Sequence, residues 1–394
     1  MAAIDEDLSY ILQHLGEAHG DYMGAVSPPI FQTSNFAFAS VEGFRQAIAD
    51  EYASPLYTRG QNPTAAILRR KLAALEGTED ALVFGSGAAA IAAAVLSVVR
   101  SGDEVVCVAK PYSWTRILLR DLLPRFGART IFVDGTDPAH FAAALSERTR
   151  LIVLESPNSM TLELQDLAAV GALARSRGIL SLIDNSYASP LLQRPAEFGI
   201  DLIAHSATKY LNGHSDVVAG VLCGSERLLR DVFQGPYMTL GAILGPFEAW
   251  LMLRGLRTLE LRMQRIASTA RAVSDWLARH PRVERLIDPG HPSHPQYALA
   301  QRQMRGASGL LSIQLCAPDL AAVERFSDRL RCFLMAVSWG GHESLQFPAA
   351  ALIRGGDAAR ERLPLPWNLV RLSIGLESPE LLIADLEQAL EGAW

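Results

Sequence analysis

Ile179-Leu180-Ser181-Leu182-Ile183-Asp184 is an apolar run that ends in an acid, and further along stand Ser206-Ala207-Thr208-Lys209-Tyr210 and Gly213-His214-Ser215-Asp216. The first stretch reads as a buried strand with Asp184 at its end. In the second, a lysine lies among small hydroxyl residues and ahead of a polar turn. The hydroxyls can hydrogen-bond a phosphate, and the amine can condense with an aldehyde. A lone S-x-x-K would read as a solvated surface lysine. An acid at the end of a buried strand upstream changes that reading, because it can hold the ring nitrogen of pyridoxal phosphate (PLP). Lys209 is therefore the candidate Schiff-base lysine and Asp184 the candidate partner of the pyridinium nitrogen.

Working outward, short β-rich runs alternate with helical ones. The candidate strands are Ala81 to Phe84, Glu104 to Val108, Thr130 to Val133, Leu151 to Leu154, Ile179 to Ile183, Leu202 to His205 and Val217 to Cys223. Amphipathic stretches such as Leu164 to Arg177 separate them. This alternation predicts an α/β fold with a mostly parallel, seven-stranded sheet covered by helices on both faces. In such sheets ligands bind at the carboxyl ends of the strands.

Residues 1–60 carry much turn chemistry, including Ser27-Pro28-Pro29, and read as an extended N-terminal arm. Residues 61–255 form the expected PLP-binding domain. A long helical pattern runs from Phe247 to His280 with an expected break near Gly255, and residues 256–394 read as a smaller α+β domain. Its expected strands are Gly309 to Leu315 and Val370 to Ile374, and its expected helices Pro318 to Arg331 and Pro379 to Leu390. Phe347 to Trp367, rich in Pro, Gly and Arg, reads as a surface loop.

The bulk properties narrow the function class. The net charge of −6 gives no basic field for nucleic acid. The acidic start, Met1 to Asp7, lacks the basic-then-apolar order of a secretory signal, and the longest apolar stretch, Ala88 to Val99, is too short for a bilayer. Cys107, Cys223, Cys316 and Cys332 are widely spaced, which argues against a zinc site or a disulfide framework and fits a cytoplasmic protein. No metal is expected.

Four more groups are candidates. Phe84-Gly85-Ser86-Gly87-Ala88 reads as a strand end, a glycine turn and a helix start, where the N–H groups of Gly87 and Ala88 would face a phosphate. An ordinary βα turn explains the same residues equally well. Tyr112 follows a strand and could stack on the cofactor ring or exchange protons; a half-buried tyrosine is the commoner case. Tyr57-Thr58-Arg59 could clamp a phosphate, or could be an exposed loop. Arg371 lies inside the apolar run Val370 to Ile374, where a charge needs a partner; a substrate carboxylate and an internal salt bridge both qualify.

These motifs, in this order, resemble the transsulfuration (Cys/Met metabolism) family of PLP enzymes over essentially the whole chain. The matching stretches include Tyr57-x-Arg59, Phe84-Gly85-Ser86-Gly87, Tyr112, Glu155-Ser156-Pro157, Ile183-Asp184-Asn185, Ala207-Thr208-Lys209-Tyr210 and Gly213-His214-Ser215-Asp216. Arg254 to Leu259, Ser338-Trp339-Gly340-Gly341, Glu343-Ser344-Leu345 and Arg371 to Glu377 complete the set. The resemblance implies the PLP-dependent transferase-like fold of the aspartate aminotransferase type, fold type I. It implies that Lys209 holds PLP and shuttles protons, that Asp184 keeps the ring nitrogen protonated and that Tyr112 stacks on the ring. Gly87, Ala88, Ser206 and Thr208 would hold the phosphate, joined by Tyr57 and Arg59 from a neighbouring subunit of a homotetramer. Ser338 and Arg371 would receive the substrate carboxylate, with Tyr57, Trp339 and Tyr237 near the substrate.

Within the family the subgroup markers divide. Ser159, Trp339 and Tyr237 resemble the β-lyases that cleave cystathionine to homocysteine, pyruvate and ammonia, a step of methionine biosynthesis; this is the favoured expectation. Val337 resembles methionine γ-lyases, where members acting on cystathionine at the γ position usually carry Glu. Gly60-Gln61-Asn62-Pro63-Thr64 and Gly241 to Pro246 are also γ-type, and Trp114 is unusual. γ-Elimination or O-acylhomoserine sulfhydrylation is the second expectation. A non-catalytic PLP-fold regulator is the third, opposed by the intact Lys209, Asp184, Tyr112 and Arg371.

Overall fold

The computed structural model describes residues 7–353 and 365–394. Most of the acidic start and the larger part of the Phe347–Trp367 segment lie outside the described residues. Packing divides the chain into two compact units. The first comprises Met1–Glu155, Gln165–Asn212 and Asp216–Leu259; the second comprises Ser156–Leu164, Gly213–Ser215 and Glu260–Trp394.

The first unit is built on a seven-stranded sheet. Its strands are β1 (Asp80–Phe84), β2 (Glu104–Val108), β3 (Arg129–Val133), β4 (Thr149–Glu155), β5 (Leu180–Asp184), β6 (Leu202–Ser206) and β7 (Gly220–Gly224). Their order is β1-β7-β6-β5-β4-β2-β3. All neighbours are parallel except β7, which runs antiparallel to both β1 and β6. The apolar runs legible in the sequence are the central strands. β2 is buried at every position, as expected of a strand covered on both faces. Register pairs Glu155 with Asp184 and Asp184 with Ala204, so the ends of β4, β5 and β6 lie side by side.

β7 begins at Gly220, not at Val217 as the sequence suggested. The reason is local. Ala219 spends its N–H on the Thr208 hydroxyl (3.0 Å) and its carbonyl on the Thr208 N–H (3.3 Å), so neither joins the ladder. At Gly220 a side chain is excluded, because an added Cβ would lie 2.0 Å from the Ser86 carbonyl oxygen.

Helices start where side chains cap them. Asn62 accepts from Thr64 N–H ahead of Pro63–Glu76, Ser86 from Ala89 N–H ahead of Gly87–Val98, and Asp166 from Ala169 N–H ahead of Leu167–Ser176. The segment expected to be an extended arm holds a helix, Val41–Ala49, capped by Ser40. Its start is also anchored. The buried Lys71 ammonium reaches the carbonyls of Ile11 (3.0 Å) and Leu12 (3.2 Å) and the Glu17 carboxylate (3.1 Å). The expected helical break falls just after Gly255, between Pro246–Leu256 and Leu259–Leu277.

The second unit carries a five-stranded sheet: β8 (Val283–Ile287), β9 (Leu310–Leu315), β10 (Leu334–Met335), β11 (Leu345–Pro348) and β12 (Leu369–Ser373), in the order β10-β11-β12-β9-β8. β10 and β11 are parallel and the other pairs antiparallel. The sequence reading anticipated β9 and β12 but not β8, β10 or β11. β11 takes the first residues of the segment read as a surface loop, and Ala349 and Ala350 just beyond it are buried. Helices Leu320–Arg329 and Pro379–Glu391 match the expected ones within two residues at each end. The core joins Leu311, Ile313, Val370 and Leu372 to Val323, Phe326, Leu382 and Leu386. Side chains alternate along a strand, so Arg371 falls on the face of β12 opposite to Val370 and Leu372. Its partners in register are Ser312 and Phe347.

Candidate active site

β1, β2, β4, β5 and β6 of the first unit run in one direction, and the predicted cofactor residues sit at or beyond their carboxyl ends. Asp184 closes β5 and Ser206 closes β6, with Thr208 and Lys209 in the turn that follows. Phe84 closes β1, and a short turn leads to the helix at Gly87. Tyr112 lies beyond β2, ahead of a short helix, Ser113–Ile117, and its N–H donates to the Glu155 carboxylate at the end of β4.

The helix start is pressed against β6. A Cβ on Gly87 would stand 2.8 Å from Ser206 Cα and 2.9 Å from its Cβ, closer than such atoms can come. Ser86 satisfies the N–H groups of Ala89, through its side chain, and Ala90, through its carbonyl. The N–H groups of Gly87 and Ala88 are the open donors of this helix end. They stand beside Ser206, whose hydroxyl has no partner among the described residues. This is an anion cradle of N–H and O–H donors backed by a helix dipole.

Asp184 is held by its own strand end. Ser186 donates to Asp184 Oδ1 from its N–H (3.0 Å) and from its hydroxyl (2.5 Å), and the same hydroxyl accepts from the Ser206 N–H (2.6 Å). Both bonds fall on Oδ1, which leaves Oδ2 for another donor. Ser186 thus ties the carboxylate to the anion cradle. Sequence reasoning missed it, although Asp184-Asn185-Ser186 has the spacing of a local side-chain turn.

The donor set fits PLP on chemical grounds. Its phosphate needs donors, its ring nitrogen needs a carboxylate and its aldehyde needs an amine; the cradle, Asp184 and Lys209 supply these in turn. Thr208 is partly committed. Its hydroxyl donates to the Ala219 carbonyl (3.2 Å) while accepting from the Ala219 N–H, so its proton is engaged within the protein. Tyr57 and Arg59 are exposed, with the guanidinium 5.2 Å from the centre of the Tyr57 ring. Tyr237 is placed differently from its expected role near a substrate. It is a core residue, stacked on Phe233, edge-on to Phe84 and donating its hydroxyl to the Val83 carbonyl (3.2 Å); burial pushes its pKa up to about 12. Trp114 is exposed and lines a largely apolar hollow of about 400 Å³ with Ala88, Ile91, Ile117 and Leu122.

In the second unit Arg371 is buried and held by backbone. Nη1 donates to the Ser159 carbonyl (3.0 Å) and lies 3.5 Å from Met160 Sδ; Nη2 donates to the carbonyls of Val337 (2.9 Å) and Ser338 (3.3 Å). Its guanidinium carbon lies 4.9 Å from the Trp339 ring centre and 5.4 Å from that of Phe347. Planar stacking and several directed bonds fix the fork in one orientation, which lysine could not reproduce. Ser338 and Trp339 are therefore neighbours of Arg371. The buried Trp339 ring can affect a ligand through the arginine it supports.

Comparison with known proteins agrees with this chemistry. The model of the Cys/Met metabolism PLP-dependent enzymes matches residues 11–391. The chain is 41% identical over 382 residues to the L-methionine gamma-lyase of Pseudomonas deceptionensis, covering 96% of each chain. It is 40% identical over 377 residues to the cystathionine gamma-synthase of Mycobacterium bovis, covering 96% of this chain and 95% of that one. Identity to the cystathionine beta-lyase of Coxiella burnetii is 37% over 381 residues, with 96% of each chain covered. A match of this length shows that the chain belongs to the Cys/Met metabolism family of PLP-dependent enzymes, with the fold type I architecture and the cofactor PLP.

Proposed function

We propose that this enzyme cleaves a carbon–sulfur bond of a sulfur-bearing L-amino acid by elimination, and that its preferred substrate is a methionine-like thioether cut at Cγ. The observation that carries the choice is Val337. It is 76% exposed and immediately precedes Ser338, in the turn whose carbonyls hold Arg371. An exposed apolar group there suits a methylthio end. It offers no carboxylate to the distal ammonium of cystathionine, which would be left poorly paired. The methionine γ-lyase relatives support the same choice.

PLP supplies an electron sink for the pair left when the Cα proton is removed. In this reading Lys209 Nζ holds the cofactor and carries protons to and from the substrate carbons. Asp184 Oδ2 keeps the ring nitrogen protonated. Tyr112 covers the ring and is a second proton carrier. Gly87, Ala88 and Ser206 hold the phosphate, Thr208 joins them by turning its hydroxyl proton away from the Ala219 carbonyl, and Tyr57 and Arg59 are supplied by a neighbouring subunit of a homotetramer built from active dimers. Arg371, with Ser338, receives the α-carboxylate. Overall, methionine and water give methanethiol, 2-oxobutyrate and ammonia: the Cγ–S and Cα–N bonds break, and water provides the keto oxygen.

The second reading is β-elimination of cystathionine to homocysteine, pyruvate and ammonia. Trp339 under Arg371 and Ser159 beside it favour that subgroup. The test is to supply methionine and cystathionine separately and identify the keto acid. 2-Oxobutyrate from methionine supports the proposal. Pyruvate from cystathionine, with methionine inert, overturns it in favour of the second reading.

A further inference from the structure

Behind the strands that carry Asp184 and Ser206 lies a buried polar cluster that the proposed chemistry does not use. Glu76 ends the helix Pro63–Glu76 and is 1% exposed. Its Oε1 accepts from Asn185 Nδ2 (3.1 Å) and from His205 Nε2. Its Oε2 has no hydrogen-bond partner among the described residues. Asn185 is gripped from a second side: Gln193 Nε2 donates to its Oδ1 (2.9 Å), and its Nδ2 also donates to the Gln193 carbonyl (2.9 Å). His205 and Asn185 are 2% and 0% exposed.

This arrangement is costly. A carboxylate at a helix carboxyl terminus faces the negative end of the dipole. Burial with one oxygen unpaired adds a desolvation cost. Buried polar and ionic groups contribute little to stability against apolar replacements, and their best-attested use is to specify one geometry. Here the geometry specified is clear from the chain. Asn185 is the residue after Asp184, and His205 is the residue before Ser206. Alternation along β6 turns His205 to the face away from Ser206. The Asn185 N–H donates to the Ala204 carbonyl (2.8 Å), so the two strand ends are joined at the same level.

We propose that Glu76 is a positioning residue for the cofactor. Through His205 and Asn185 it holds, from behind the sheet, the two peptides that carry Ser206 and Asp184. It thereby sets the separation between the phosphate anchor and the ring-nitrogen anchor. The inference rests on the reading of Lys209, Asp184 and Ser206 as the PLP site.

The test uses the full chain, freed of PLP and titrated with it again. Visible absorbance gives the dissociation constant, and visible circular dichroism reports how bound PLP is oriented. Glu76→Ala should weaken PLP roughly 10–100-fold, taking as the scale the effect of hydrogen-bond partners that orient metal ligands. It should also change the visible dichroism while the far-ultraviolet spectrum stays native. Glu76→Gln keeps an acceptor oxygen for Asn185 and should fall between Glu76→Ala and the wild type. Wild-type affinity and dichroism in a folded Glu76→Ala protein overturn the proposal, even if melting falls. Should Glu76→Ala not fold, Glu76→Gln and His205→Gln are measured in the same way, and unchanged PLP binding in both overturns it. Lys209→Ala and Asp184→Asn serve as controls. If neither alters the visible spectrum, the site assignment fails and takes the inference with it. If both do and the Glu76 set does not, the positioning role alone fails.

Discussion

Gly87→Ala perturbs the anion cradle at one atom. The added Cβ would stand 2.8 Å from Ser206 Cα, 2.9 Å from Ser206 Cβ and 3.1 Å from Ser206 N. Carbon atoms in contact prefer about 3.5–4.0 Å, so the helix end must retreat from β6 by roughly 0.7 Å or more. Two costs follow. Overpacking of this kind destabilises by about 1–3 kcal/mol, offset in part by the gain of up to about 1 kcal/mol for alanine over glycine in a helix. The larger effect is on PLP. An N–H···O contact stretched from about 2.9 to about 3.6 Å is no longer a hydrogen bond. A bond to a charged group contributes about 1.5–3 kcal/mol, so the loss of one raises the dissociation constant roughly 10–150-fold. The assay is titration of the PLP-free variant with PLP, followed by visible absorbance, with a thermal melt of the same PLP-free sample. A modest loss of melting temperature with a large loss of PLP affinity is expected. Wild-type affinity for PLP would refute the placement of the phosphate between Gly87 and Ser206, whatever the melt shows.

Lys209→Ala should remove the visible absorbance of bound PLP and nearly all turnover; a variant that keeps both has its cofactor on another residue. Arg371→Leu should lower kcat/KM for every amino-acid substrate together, by about 30-fold to several thousandfold for a lost charge contact of roughly 2–5 kcal/mol, with PLP affinity retained. An effect confined to one substrate would place Arg371 at the distal end instead. Val337→Glu should raise cystathionine turnover relative to methionine, read from the keto acids; equal scaling of both would remove Val337 from substrate choice. His294 provides a pH test of the second unit. Burial holds its pKa near 4, below the ordinary value of 6.5, with Arg285 acting in the same direction. The unfolded chain then binds the extra proton first. Stability is complete above about pH 6.5 and falls by roughly 2–3 kcal/mol as the pH drops towards 4. His294→Gln should flatten that slope in denaturant melts between these limits, and an unchanged slope would show that other groups produce it.

Much of this molecule is legible in one dimension because its central strands are covered on both faces. Such strands need continuous apolar runs, and Val105 to Val108 and Leu151 to Leu154 are written that way. The helix start after Ser86 was legible because its cap and glycine turn are local; Asn62 and Asp166 cap their helices in the same local way but were not read as starts. The helix Val41–Ala49 was missed although Val41, Phe44 and Ile48 recur at helical spacing; it lies in a segment dominated by turn residues, and only Ala47 of the helix is buried. β8 was missed likewise: only its last two residues are buried, and Glu284 and Arg285 are exposed.

By itself the sequence determined the family, the cofactor and the class of fold. Lys209, Asp184 and the glycine turn at Gly87 carry functional groups whose proposed roles follow from their own atoms and from the strand ends on which they stand. Tertiary structure decided everything that depends on distance across the chain. It set β7 antiparallel between β1 and β6, and placed Tyr237 in the core with its hydroxyl on Val83. It linked Asp184 to Ser206 through Ser186, and brought Glu76 beneath Asn185 and His205. The physical reason is that a hydrogen bond or a steric exclusion is decided within a few ångströms. Glu76 and His205 are 129 residues apart, and no local pattern records that they meet.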